Sequence, residues 1–279
     1  MTIHGLDFTS CPTERKPITC ASGSLDTGVL VLKSVETFPS FSKFEAFLRC
    51  PGPWRAGFDF PFGQPRQLSA NLGVNGDWAE VVTWFTNRSR DDFVALLKHY
   101  KSERTSGDKH HQRLTDVLAR SCSPMTLDYT PVAKMFFEGA PRLLRSGISI
   151  LPVRPLEDNR VAVEAYPKMI AKRYANGAKY KAEDKRRQNA VQRGNREAIL
   201  AALETQAHRN FGFQARLLAS VRNQAIDDPS GDVLDAVLAA VQAAWSAGQQ
   251  EPPDGIPRDC DPLEGWIVDL GLPDPADRW

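Results

Sequence analysis

Apolar residues recur along this chain with two different periods. Near the N-terminus they form short runs at 3–8, 17–21 and 28–38, separated by Ser22-Gly23-Ser24 and Asp26-Thr27-Gly28. Runs so short, divided by turn residues, predict strands, and their close spacing predicts an antiparallel meander. The period then lengthens. Phe44, Phe47 and Leu48 lie three and four apart and predict a helix over 40–48, with Ser42 as its cap and Glu45 three residues further on. After Pro51-Gly52-Pro53 the run 54–62 returns as a strand that terminates at Pro61.

From about 77 to 144 the pattern is helical and loop-rich, with Trp78, Val81, Val82 and Phe85 on one face and Phe93, Leu96 and Leu97 on another. Residues 147–153 and 160–165 read as two strands separated by a turn at Glu157-Asp158-Asn159. A last clear helix spans 231–247, its apolar face formed by Leu234, Val237, Leu238, Val241 and Trp245. Beyond Glu251 the chain is rich in proline and acid, with 265–270 as a candidate edge strand. No internal repeat is present. This order predicts an α/β architecture: a mixed sheet, antiparallel meander plus parallel strands, flanked by helices. The expected organisation is one domain over 1–250, with a helical insertion at about 77–144 and a tail over 251–279 packed on it.

Composition narrows the class without naming a function. The 279 residues are 42% hydrophobic, 25% charged and 9% aromatic, which excludes wholesale disorder and collagen-like repeats. The five cysteines, Cys11, Cys20, Cys50, Cys122 and Cys260, are odd in number and form no CxxC pair, against both a disulfide framework and a structural zinc site. Cys11 lies near an acid, but no base is placed for it by sequence, and the bland alternative is a free thiol. The longest apolar run, 236–241, is far too short to cross a bilayer, and the first residues lack a basic segment followed by an apolar one. A cytoplasmic protein with no membrane association is the expectation.

Four acidic positions fall where a sheet-based site would place them. Asp7 ends the first apolar run, Asp59 interrupts Ala56-Gly57-Phe58-Asp59-Phe60, and Glu164 lies in Val161-Ala162-Val163-Glu164-Ala165-Tyr166. Asp232 and Asp235 stand at i and i+3 near the start of the last helix and share a face. Taken singly, each has an ordinary alternative: a strand-end acid bonding loop amides, or a first-turn acid favoured by the helix dipole with Ser230 as cap. Taken together they point to a cation. Carboxylates within about 5 Å repel by roughly 3 kcal/mol per pair at an effective dielectric near 20. An all-oxygen donor set favours Mg²⁺ or Mn²⁺ over zinc. Two such ions about 4 Å apart are the apparatus of phosphodiester hydrolysis.

The order of several short motifs carries a resemblance. Gly5-Leu-Asp-Phe-Thr-Ser10, Pro51-Gly-Pro-Trp54 followed by Ala56-Gly-Phe-Asp-Phe-Pro-Phe-Gly63, Lys134-Met-Phe-Phe-Glu-Gly-Ala-Pro-Arg-Leu-Leu144, Val163-Glu-Ala-Tyr-Pro167 and the helical Asp232-Val-Leu-Asp-Ala-Val-Leu-Ala-Ala-Val241 resemble the family catalogued as domain of unknown function 429. The likeness spans about residues 3–270. That family is similar to the ribonuclease H-like superfamily, which includes the Holliday-junction resolvases, and its members are usually described as predicted nucleases. The resemblance implies a ribonuclease H-like sheet with acids on the first strand, at the end of the fourth and on a late helix, places matched here by Asp7, Asp59 and Asp235. Glu164 matches the family's Glu-x-Tyr-Pro element. The implied catalytic set is Asp7, Asp59, Glu164 and Asp235. In it Asp7 bridges two Mg²⁺ or Mn²⁺ ions, Asp59 and Asp235 hold one each, and Glu164 or Asp232 completes the shell. Lys134 is a candidate phosphate contact, with a surface or salt-bridged lysine as the alternative.

Charge distribution changes what the total suggests. The net charge is only +1, which by itself argues against a nucleic-acid partner. Yet over 168–196 ten cations oppose two acids, leaving +8, whereas from 226 onward twelve acids oppose two arginines, leaving −10. Tyr166, Tyr174 and Tyr180 are interleaved with the basic run and suit stacking on bases. Lys185, Arg186 and Arg187 are its densest point and the candidate contacts to a DNA or RNA backbone. The competing reading is a solvated helix whose cations pair with the acidic tail. Two further readings stay open: a non-catalytic nucleic-acid- or protein-binding module of the same fold, and a nucleotide phosphotransferase or phosphohydrolase, although no glycine-rich phosphate loop is present. His4, His99, His110, His111 and His208 have no Gly-x-Ser-x-Gly partner, which speaks against a serine hydrolase.

Overall fold

A computed structural model of the chain describes residues 1–182 and 184–272, the side chain of Lys185 excepted. Three strands open the fold: β1 (Thr2–Asp7), β2 (Ile18–Asp26) and β3 (Val29–Phe38). Helix α1 (Phe41–Leu48) leads to β4 (Trp54–Phe58). Five helices follow, α2 (Arg66–Asn71), α3 (Trp78–Thr86), α4 (Arg90–Ser102), α5 (Leu114–Ala119) and α6 (Val132–Ser146). Next come β5 (Ser149–Leu151), β6 (Arg160–Glu164) and α7 (Lys168–Ala175). The long α8 (Ala190–Phe211), β7 (Gln214–Leu217), α9 (Ala219–Asp227) and α10 (Asp232–Gly248) complete the order.

The seven strands form one mixed sheet in the order β5-β6-β4-β1-β2-β3-β7. Strands β1 to β3 are the antiparallel meander, its second turn made by Thr27 and Gly28 at φ 43 and 74. Positive φ at both central residues gives the turn the twist a two-residue hairpin needs. Strand β4 lies parallel to β1, β6 to β4, β5 to β6 and β7 to β3. Helices α1 to α4 and α6 cover one face over a core rich in phenylalanine, including Phe44, Phe58, Phe62, Phe85, Phe93 and Phe136, while Leu118 of α5 packs against the other core. The remaining helices cover the other face over Ile3, Val163, Leu200 and the apolar side of α10. Each buried phenylalanine contributes about 2–3 kcal/mol, so the insertion is held by its own aromatic core.

The placement of α10 matters most for the site. It lies directly against β1 and β4 because Gly5 and Gly57 face Ala236, Ala239 and Ala240 with no side chain between. A Cβ at Gly5 would stand 2.0 Å from the Ala240 nitrogen, and one at Gly57 would stand 2.4 Å from the Ala239 oxygen. Backbone therefore meets backbone, and the first turn of α10 reaches the carboxyl ends of the strands.

Several sequence expectations are corrected in detail. The cap of α1 is Ser40 and not Ser42, accepting from the Lys43 N–H at 3.4 Å. The strand expected over 54–62 stops at Phe58, because the Asp59 N–H makes the last bond to Leu6 (3.0 Å) and the Phe60 N–H turns back to the Phe58 oxygen (2.9 Å). Ser230 does not cap α10; the carboxylate of Asp228 accepts from the Val233 N–H at 2.9 Å. The edge strand expected over 265–270 is a single bridge between Ile267 and Glu164, formed where β5 has already ended. Strand β7 was hidden between two helices, being only four residues long. Residues 273–279, the end of the expected tail, lie outside the described residues, and with them Asp274, Asp277 and Arg278. No helix among the described residues is long and apolar enough to cross a membrane.

Candidate functional site

The carboxyl ends of β1, β4 and β6, where open α/β sheets characteristically bind ligands, carry Asp7, Asp59 and Glu164. Register decides which of them face the same way. Leu6, Phe58 and Glu164 are direct partners across the three parallel strands and share one face. Asp7 and Asp59 each lie one residue further along and point to the other face, towards α10. Asp232 and Asp235 come up to that face from the first turn of the helix, where the dipole favours carboxylates. The strand periodicity thus turns four of the five acids towards α10 and Glu164 to the opposite face, still near enough for its charge to help raise Asp59.

At the centre of the four is Lys181, from the segment between α7 and α8. Its ammonium donates to Asp235 Oδ2, and the Tyr180 hydroxyl donates to Asp235 Oδ1 at 2.7 Å. That segment is tied down from behind. Buried Arg196 of α8 donates to the carbonyls of Tyr180 (2.7 Å) and Ile226 (2.8 Å), and Asn195 donates to the Lys179 carbonyl at 2.8 Å. Asp235 is 1% exposed, whereas the Lys181 side chain keeps 40% exposure at the opening of a cleft.

One cation among four carboxylates leaves a deficit of positive charge. Burial first, then the charge of Asp232, with Asp235 and Asp59 adding, holds the Asp7 carboxyl well above its ordinary value despite Lys181. Burial and Asp235 push Asp59 up to about 7. Burial, with Asp228 next, raises Asp232. Burial alone would strip the Lys181 proton, but Asp235, Tyr180 and Asp7 overcome it and hold the ammonium well above the usual lysine range. Among the described residues no hydrogen bond reaches the carboxylate of Asp7 or of Asp59. In kind, this donor set suits a hard divalent cation, since Mg²⁺ is commonly held by one or two carboxylates, water and substrate phosphate. A preformed cage is absent: among the described residues no three His, Cys, Asp or Glu side chains converge closely enough to enclose a metal.

Glu164 is removed from the expected cluster by a partner that sequence did not indicate. Arg113, 1% exposed, reaches it from Nη1 to Oε2 (2.8 Å) and from Nη2 to Oε1 (2.6 Å). The same guanidinium grips Asp116 through Nε and Nη2, both at 2.8 Å. The Phe62 N–H also donates to Glu164, at 2.9 Å. Glu164 thus fixes the insertion to the end of β6, its oxygens held by Arg113 and the Phe62 N–H.

A cleft of about 370 Å³ opens over these groups. Its floor includes Asp59, Glu164, Tyr166 and Asp235; Arg113, Cys122, Val132 and Met135 of the insertion form one wall, and the basic segment with Lys168, Lys172 and Lys179 forms the other. Lys134, on α6 and half-buried, does not line it, although its neighbours Val132 and Met135 do. Arg186 and Arg187 turn back onto Asp184 at 2.9 and 3.8 Å, away from the cleft lining. The side chain of Lys185 lies outside the described residues. Lys181 was visible to sequence reasoning only as one of ten cations; its adjacency to a tyrosine in a polar stretch was no guide to its contact with Asp235. Arg113 gave no signal, since its partners lie 3 and 51 residues away.

Fold and site together define an α/β protein with a carboxylate and lysine cluster at the carboxyl edge of a mixed sheet. The family described as protein of unknown function (DUF429) matches residues 5–258, and the chain belongs to that family. No curated protein and no solved structure matches it.

Proposed function

We propose that the protein is a Mg²⁺- or Mn²⁺-dependent nuclease of ribonuclease H-like type, hydrolysing phosphodiester bonds at Asp7, Asp59 and Asp235. The observation that carries this reading is the pair Asp7 and Asp59: two carboxylates at the ends of adjacent parallel strands, short of positive charge, with no side-chain hydrogen bond among the described residues, beside a lysine-lined cleft. An antiparallel meander continued by parallel strands supports the superfamily assignment, as does the succession of acids on the first strand, the fourth strand and a late helix. Asp7 and Asp59 would hold the ion, with Asp232 or Asp235 nearest to complete its shell. The ion, when bound, supplies Lewis-acid activation of water and stabilises charge on the departing oxygen. The chain's own residues do the rest. Tyr180 and Lys181 fix Asp235, and Lys168 and Lys172 would draw the phosphate backbone towards the cleft.

The test is cleavage of labelled DNA and RNA panels with Mg²⁺ or Mn²⁺ by the wild type and by Asp7→Asn. We expect metal-dependent cleavage that falls at least about 100-fold in the variant. Cleavage undiminished by the substitution would sink the proposal. One observation favours a second reading, a non-catalytic nucleic-acid-binding module: Lys181 already gives Asp235 a cation. Calorimetric titration separates the two, because a nuclease takes up Mg²⁺ or Mn²⁺ through Asp7 and a lysine-neutralised cluster does not.

A further inference from the structure

The cleft has a shape as well as a charge. It runs between the helical insertion and the basic segment, and it ends on the acids. Its volume of about 370 Å³ lies at the small end of the range for sites that enclose one small molecule. A duplex, whose grooves alone are about 6 and 12 Å wide, does not enter such a recess. The two walls also differ in kind. On the insertion side Phe60, Val132 and Met135 present apolar surface, and Tyr166 lies on the floor within electrostatic reach of both Asp59 and Cys122. On the opposite side stand the exposed Lys168, Lys172 and Lys179. Arg120, at the end of α5, lies close enough for its charge, with that of Lys168, to disfavour the Lys172 ammonium. Among the described residues none of these four cations has an acidic partner. A gathering of like charges beside an apolar, aromatic recess is unfavourable until an anion with a flat apolar part arrives.

We propose that the cleft holds one nucleoside phosphate unit, with its base against Tyr166 and Met135 and its phosphate between Lys168 and Lys172. The inference rests on the nuclease reading for what happens next: the unit is the terminal nucleotide of a single strand, and the insertion is the wall that excludes a duplex. The same chemistry is offered by a free nucleoside monophosphate, so the two sources are separated by experiment.

Binding is measured first, by calorimetry with adenosine and thymidine monophosphates in the presence of chelator, so that no hydrolysis is required. The expected result is binding that weakens at least about tenfold in Lys168→Glu/Lys172→Glu and in Met135→Trp, which fills the recess. Cleavage with Mg²⁺ or Mn²⁺ is then compared on linear single strands, circular single strands and blunt duplex. Cleavage of the linear strand alone identifies a strand end as the substrate. Monophosphate binding with no cleavage of any strand keeps the nucleotide site and removes the nuclease reading. Equal cleavage of linear, circular and duplex substrates, with no monophosphate binding, keeps the nuclease and overturns the nucleotide site. Monophosphate binding indifferent to both variants overturns it as well.

Discussion

Replacing Asp59 with asparagine is expected to stabilise the protein, and to do so more at high pH than at low. Burial, with the charge of Asp235 behind it, lifts the Asp59 carboxyl from 3.8 to about 7. At about 1.4 kcal/mol per pH unit, that rise is worth about 4 kcal/mol against the ionised form. Asp59 keeps some solvent contact, and salt screens its neighbours, which brings the figure to about 2 kcal/mol. Below about pH 4 the carboxyl is protonated in folded and unfolded chains alike, and nothing is lost. As pH rises towards 7 the unfolded chain ionises first and binds fewer protons, so stability falls; above about 7 the loss is complete. An asparagine never ionises. The variant should therefore be more stable than the wild type by about 2 kcal/mol near pH 8.5, a gain of about 4–8 °C in midpoint, and by less than about 1 kcal/mol near pH 5. Thermal and urea denaturation followed by circular dichroism at the two pH values measure this. Equal or lower stability of the variant near pH 8.5 would refute the reasoning, and so would a gain that does not shrink on acidification. Saturating Mg²⁺ should also raise the wild-type midpoint near pH 8.5 and raise that of the variant less.

Arg113→Met leaves Glu164 and Asp116 buried without their cation and should cost about 3–5 kcal/mol by urea denaturation. Glu164→Gln added to it should restore part of that loss; strict additivity of the two changes would show that the pair does not interact as the distances require. Lys181→Met removes the counter-ion of Asp235, with an expected loss of about 1–3 kcal/mol near pH 8 because the lysine is 40% exposed. The penalty should shrink near pH 5, where the raised Asp7 and Asp59 carboxyls take up protons, and a penalty independent of pH would place the lysine's contribution in packing.

Most of the sheet was legible because its strands are short, apolar and punctuated by turns. The meander, β4, β6 and α10 follow from periodicity and from turn residues such as Gly28, although β4 ends at Phe58 and not at Pro61. Strand β7 was not legible, because Gln214–Leu217 joins two helices and pairs with only four residues of β3. The acids on the strands were legible as a group, but their faces were not. A strand with period two sends neighbouring residues to opposite sides. Glu164 pairs with Phe58 and so faces away from Asp59, which is one step on. A one-residue difference in where each run ends was enough to place the fourth acid in a separate, arginine-bound network. Contacts such as Lys181 with Asp235 span 54 residues and depend on how α10 and the α7–α8 segment pack, which no local pattern encodes.

Sequence alone left two uses for the basic segment evenly matched: a phosphate-binding surface, or a partner for the acidic C-terminal stretch. The ion pairs show which of the segment's cations the acidic stretch takes. The acids of that stretch find cations both outside the segment and within it: outside, Asp254 pairs with Arg55 at 2.6 Å, Asp261 with Arg66, and Glu251 with Arg258 at 3.3 Å, and inside it Asp235 takes Lys181. Within the segment, Asp269 takes Arg173 at 3.0 Å and Asp227 takes Arg193 at 2.7 Å, while Arg196 is consumed by backbone carbonyls. Arg173 reaches a buried carboxylate, whereas Arg193 and Asp227 pair at the surface. The cations left without an acid among the described residues include Lys168, Lys172 and Lys179, and these are the ones that border the cleft. The acidic stretch therefore neutralises part of the basic segment, Lys181 beside the acids included, and leaves Lys168, Lys172 and Lys179 at the rim of the cleft without an acid among the described residues. A chain whose charges nearly cancel in total presents a positive rim to a negative floor, the arrangement that a phosphate and a divalent ion would share.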